Sequence, residues 1–195
     1  IISTKKYLQA NYLEYFSPEI KPFMNEDWFP TENQVIELIN KELPENFYEN
    51  RKNGENDSFF CDLIRDDLIN EFIMYVNEND FSLNMSIKPS IYETNSFLIK
   101  SKNISLIEYA VFYGSFQIFQ YLILEDVKLT QSLWLCSVHG KNANILHFLE
   151  DNYVKEDKTY EQCLKESIKC HHNEFAIYFK DLFEYDENSI DSLIH

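Results

Sequence analysis

Cys136 and His139 stand three residues apart in a run that reads as helical, which puts a thiol and an imidazole on one face. That is the minimum of a Cys–His nucleophile, in which the imidazole takes the thiol proton. No third group to orient the imidazole is visible, and Cys136 falls at a small packing position where a thiol is buried and inert. Cys163, Cys170, His171 and His172 form the densest set of metal-ligand types. Thiolate and imidazole donors together suit zinc. However, Cys163 and Cys170 lie two turns apart, about 10 Å along a helix, and His171 reads as a helix stop. The carboxylate pairs Asp66–Asp67, Glu125–Asp126 and Glu150–Asp151 fall at helix ends, where solvation is expected rather than general acid–base work. The reading from these residues is no catalytic group, no metal ligand and no cofactor.

Composition limits the partners. The 195 residues carry 33 acidic and 17 basic side chains, a formal net charge of -16. An even acidic surface disfavours nucleic acid and anionic membranes, both of which need a basic face. It suits a protein partner with a basic surface. Hydrophobic residues make up 45% of the chain, with 16 Phe and 13 Tyr, which excludes an acidic disordered tail. Only 3 Gly and 5 Pro leave little material for the turns of a sandwich or barrel, or for a phosphate loop.

The four cysteines form no CxxC pair, so free thiols in a reducing, cytoplasmic compartment are expected. No run of about 18 apolar residues suggests a membrane helix, and no signal peptide opens the chain. The first residue is Ile1 rather than Met, as expected of a piece of a larger product. Asn56, Asn84 and Asn103 open N-x-Ser sequons at a frequency close to chance for so Asn-rich a chain.

The elements that must position these groups are helices. Thr31 to Leu43 read as one amphipathic helix, with Val35, Ile36, Ile39 and Leu43 on one stripe and Pro44 ending it. Residues 44–57 are polar, contain Gly54 and read as a linker. Phe59 to Val76 read as two short helices joined near Asp66–Asp67, and 77–104 as an extended loop or hairpin. The expected division is therefore 1–56, a helical segment with linker, and 57–195, a repeat domain.

A helical pair then recurs three times, over 105–125, 132–150 and 160–183. Ile107, Leu133 and Leu164 align, as do the small residues Ala110, Cys136 and Ser167, and the helix breaks Gly114, Gly140 and His171. All three marks shift together, by 26 and then 31 residues. Small residues allow close helix approach, and a left-handed residue stops each first helix. No single pair can bury its stripe, so the pairs must stack.

The segment SLIEYAVFYGSFQIFQYLILEDVKLT (105–130) resembles an ankyrin repeat along its whole length. Ser105–Leu106–Ile107–Glu108 stand where the family has Thr-Pro-Leu-His, and Ala110 and Gly114 match its Ala and Gly. Asp126 to Thr130 match its closing run. The stretch 57–183 is more specifically similar to a divergent ankyrin-like group of large protist families that carries a domain of unknown function. IKPSIYETNSFL (87–98), SLWLCSVHG (132–140) and ESIKCHHNE (166–174) carry that likeness. Glu108, Trp134 and Lys165 replace the family histidine that makes inter-repeat hydrogen bonds.

The resemblance implies an all-α, short ankyrin-like solenoid, with the helical N-terminal segment packed on or tethered to it. It also implies a non-enzymatic protein-interaction scaffold. In such a stack, residues before each glycine face the concave side, so Tyr109, Phe112, Tyr113, His139 and Lys169 are the predicted protein-binding set. The competing reading of the aromatic residues is packing under the 77–104 loop. Trp28 and Phe29 are a candidate docking motif or cap. The alternatives for the whole chain are a structural or capping module of a longer ankyrin protein, and a Cys/His-dependent hydrolase.

Overall fold

A computed structural model describes residues 12–24, 33–101, 103–152 and 159–182. The Trp28–Phe29 motif lies outside them. The described residues are mostly helical, and their one β-type pairing is an isolated antiparallel bridge between Ser86 and Ser105. The chain divides into two compact units, residues 1–58 with 88–102, and 59–87 with 103–195.

The first unit holds α1 (12–15), α2 (Ser17–Ile20), a 3-10 turn (Lys21–Phe23), α3 (Asn33–Asn40), α4 (Phe47–Asn53) and, from the returning segment, α7 (Ser96–Lys100). Half of the polar run expected to be a linker is therefore helix. Its anchor is Phe47, which is buried against the Tyr92 ring at 5.7 Å, and its stop is Gly54 at φ +70°. The returning segment is stitched to that stop. The Gly54 carbonyl accepts from the Thr94 backbone and hydroxyl, and Asn56 Nδ2 donates to the Lys88 carbonyl at 2.8 Å. Arg51 lies over the Tyr15 ring and pairs with Glu19 at 2.8 Å.

Among its described residues, the second unit holds four successive helical pairs. They are α5 (Phe59–Arg65) with α6 (Ile69–Glu78), α8 (Leu106–Tyr113) with α9 (Phe116–Leu124), α10 (Ser132–Gly140) with α11 (Ala143–Asp151), and α12 (Thr159–Lys169) with α13 (173–182). The first helices pack in the order α5, α8, α10, α12, and the second helices α6, α9 and α11 form a neighbouring row. Central helices must be apolar on more than one face. In α8, Leu106, Ile107, Tyr109, Ala110, Val111 and Phe112 are all buried. The aligned small residues Ala110, Cys136 and Ser167 are likewise buried.

Local chemistry sets the ends of these helices. Ser105 and Glu108 form a capping box on α8, with Glu108 Oε2 accepting from the Ser105 N–H at 2.7 Å. Asn142 caps α11 by accepting from the Asn144 N–H at 3.0 Å. The first helices of three pairs stop in the same double-bonded turn, with the left-handed position filled by Asp67, Gly114 and His171. Asp67 adds a fourth pair to the three visible in the sequence.

The stop of α10 differs from the expectation. Gly140 is the last residue of that helix, and the left-handed residue is Lys141 at φ +50°. Gly140 is glycine for another reason: a Cβ there would stand 2.8 Å from the Gly114 nitrogen and overlap the Val111 carbonyl oxygen. Likewise, a Cβ on Gly114 would overlap the Gly140 carbonyl. The two glycines let the ends of α8 and α10 touch backbone to backbone.

Candidate functional site

The predicted binding residues come together along the C-terminal ends of the first helices, in one run of contacts. It starts on α5, where Arg65 Nη1 donates to the Tyr109 hydroxyl at 3.0 Å and the guanidinium lies 5.8 Å from the Tyr113 ring centre. The Tyr109 and Tyr113 rings are 4.8 Å apart, and Tyr113 meets Phe112 edge to face at 5.0 Å. Phe112 stacks on the His139 imidazole at 4.6 Å. His139 then faces α12. Its Nδ1 is 3.8 Å from Cys170 Sγ and its Nε2 is 3.5 Å from Glu166 Oε1. The run ends at Lys169, whose Nζ donates to Glu166 Oε2 at 2.8 Å.

Accessibility divides the set. Lys169 is exposed, and Tyr113 and His139 are half-buried. Tyr109 and Phe112 are buried, so they act as the floor of the run rather than as an open aromatic patch. For Tyr109 the cause is helical phase: its ring points from α8 toward α5, where the hydroxyl meets Arg65.

Charge in the run follows from burial. Desolvation holds the His139 imidazole below its ordinary value; the Glu166 carboxylate pulls the other way, and His172 pushes it down further. Burial pushes the Cys170 thiol up, with the Glu166 charge adding to it. His139 is therefore neutral and Cys170 a thiol near neutral pH, so this contact lacks the thiolate–imidazolium pair of an activated nucleophile. Cys136 is also held as a thiol, pushed well up by burial. The sequence paired it with His139, but the imidazole is turned to Cys170 instead.

A second set of contacts links the pairs. In three of them the residue after the left-handed stop reaches back to the preceding pair. Ser115 Oγ donates to the Ile64 carbonyl, Asn142 Nδ2 to the Gly114 carbonyl at 3.0 Å, and His172 Nδ1 to the Val138 carbonyl at 2.9 Å. Asp67 reaches forward, its two carboxylate oxygens accepting from the Gln117 and Ile118 N–H groups at 3.0 Å each, which caps α9. Glu108 accepts from the Ser132 hydroxyl of the next pair.

Glu166 and Arg65 are the members that sequence reasoning missed. The signal for the His139–Cys170 contact was present: the two are 31 residues apart, the offset of the repeat, so stacking sets them side by side. Of the earlier metal-ligand group, Cys163 is buried within the stack and His171 is exposed at the turn. No family model matches the chain, and no curated protein and no solved structure matches it either.

Proposed function

We propose that the chain is a non-enzymatic protein-interaction scaffold of ankyrin-like type, with a partner that presents a basic surface. The observation that carries this reading is the row of helical pairs closed by equivalent left-handed turns, whose ends line up the Tyr113–His139–Lys169 edge. A repeated helix end offers a long, evenly spaced surface to another chain. The net charge of -16 favours a basic counterpart. Affinity capture on the immobilised full chain, at low and physiological salt, tests the reading. Specific capture that weakens with salt supports it, and nothing above control at either salt overturns it.

A second reading, a structural or capping module of a longer ankyrin protein, is motivated by Ile168 and Ile177. These apolar side chains on α12 and α13 are 58% and 62% exposed. Under that reading, replacing both by Glu leaves the isolated chain folded but blocks stacking of a further repeat.

A further inference from the structure

We propose that His139, Glu166 and Cys170 form a binding site for a zinc-class divalent cation between α10 and α12. One ligand atom from each of the three lies within 4.8 Å of the others. A tetrahedral zinc site sets sulfur and nitrogen ligands about 3.6 Å apart, against 3.8 Å between Cys170 Sγ and His139 Nδ1. Glu166 Oε1 faces the other ring nitrogen, Nε2, at 3.5 Å, so closing the set onto one ion asks for a side-chain rotation of half-buried Glu166. One ring nitrogen of His139 serves as ligand.

The surroundings fit a ligand set. Lys169 holds Glu166 Oε2 and so aims Oε1 at the imidazole, the kind of outer contact that orients a metal ligand. Phe112 stacks on His139 and fixes the plane of the ring. A neutral imidazole, a carboxylate and a thiolate balance the two positive charges of the ion. One carboxylate is too few oxygen ligands for calcium or magnesium, whereas the mixed sulfur, nitrogen and oxygen set suits zinc or cobalt. Three protein ligands leave the fourth position to water. On binding, the Cys170 S–H bond breaks, sulfur bonds the metal and the proton goes to solvent, so affinity rises with pH.

Cobalt titration of the full chain is the test. The expected result is one equivalent of bound Co²⁺ with tetrahedral visible bands and a thiolate-to-cobalt charge-transfer band, all displaced by Zn²⁺. Cys170→Ser removes the charge-transfer band, and Lys169→Met weakens binding about tenfold or more. His171→Asn, at an exposed histidine outside the set, retains the full spectrum. Absence of tetrahedral bands in the wild-type chain overturns the proposal. So does a charge-transfer band that persists in a Cys170→Ser protein whose helicity is unchanged.

Discussion

Gly114 and Gly140 meet across the α8–α10 crossing, each occupying the space that a side chain on the other's helix end would need. The sequence presents them as equivalent marks of successive repeats. In the structure, Gly114 is a left-handed stop at φ +72° and Gly140 is a helical residue kept small by its neighbour. Gly140→Ala is therefore expected to cost about 1–3 kcal/mol, the range for forced overpacking. Denaturant unfolding of the full chain checks it, and an unchanged midpoint would place the crossing elsewhere.

Lys141 carries the left-handed strain that Gly140 was expected to relieve. Lys141→Gly should raise stability by about 0.5–1 kcal/mol, because glycine takes this conformation without a Cβ penalty. Thermal melting of the two proteins side by side reads the effect. A loss of stability would contradict the assigned turn.

Asp67 combines a left-handed backbone with the cap of a helix in the next pair. Asp67→Gly keeps the first property and removes the second. The expected loss is about 1 kcal/mol, with amide exchange quickening at Gln117 and Ile118 first. Exchange unchanged at those two amides would argue against the cap.

Burial of His139 makes stability depend on pH. Its folded-state pKa lies below the ordinary value of 6.5, so the unfolded chain binds the proton more readily. The contribution is present above about pH 6.5 and is lost as pH falls through the folded-state pKa. Melting temperature, measured with a chelator present, should fall over that window, and His139→Gln should flatten the slope. An equal slope in both proteins would assign the dependence to other groups.

Thiol accessibility separates the cysteines. Cys61, Cys136 and Cys163 are buried, and Cys170 is half-buried. A thiol reagent on the native chain should modify Cys170 first, with the other three reacting only on unfolding. Early labelling of Cys136 would revive the Cys136–His139 nucleophile.

The helical pairs were legible in the sequence because their signals are local: apolar spacing, small residues and stop residues at a shared offset. Helix α4 was not, since a polar run such as 44–57 becomes helical only when Phe47 finds a buried seat. Gly140 was misread because a glycine near a helix end suggests a left-handed stop, and a close backbone approach from another pair leaves no local trace. The residues predicted for binding do lie in one run of contacts, but their exposure was not legible. One residue of helical phase separates buried Phe112 from half-buried Tyr113, and a pattern with so short a period does not resolve it.

The scaffold reading is tested most directly by comparing captured partners across variants of the full chain. Tyr113→Ala and Lys169→Ala alter the helix-end edge, and Tyr48→Ala alters an exposed tyrosine of the first unit. The expected result is a partner retained by wild type and Tyr48→Ala and lost from both edge variants. Equal capture by all four proteins, or none by any, would contradict it.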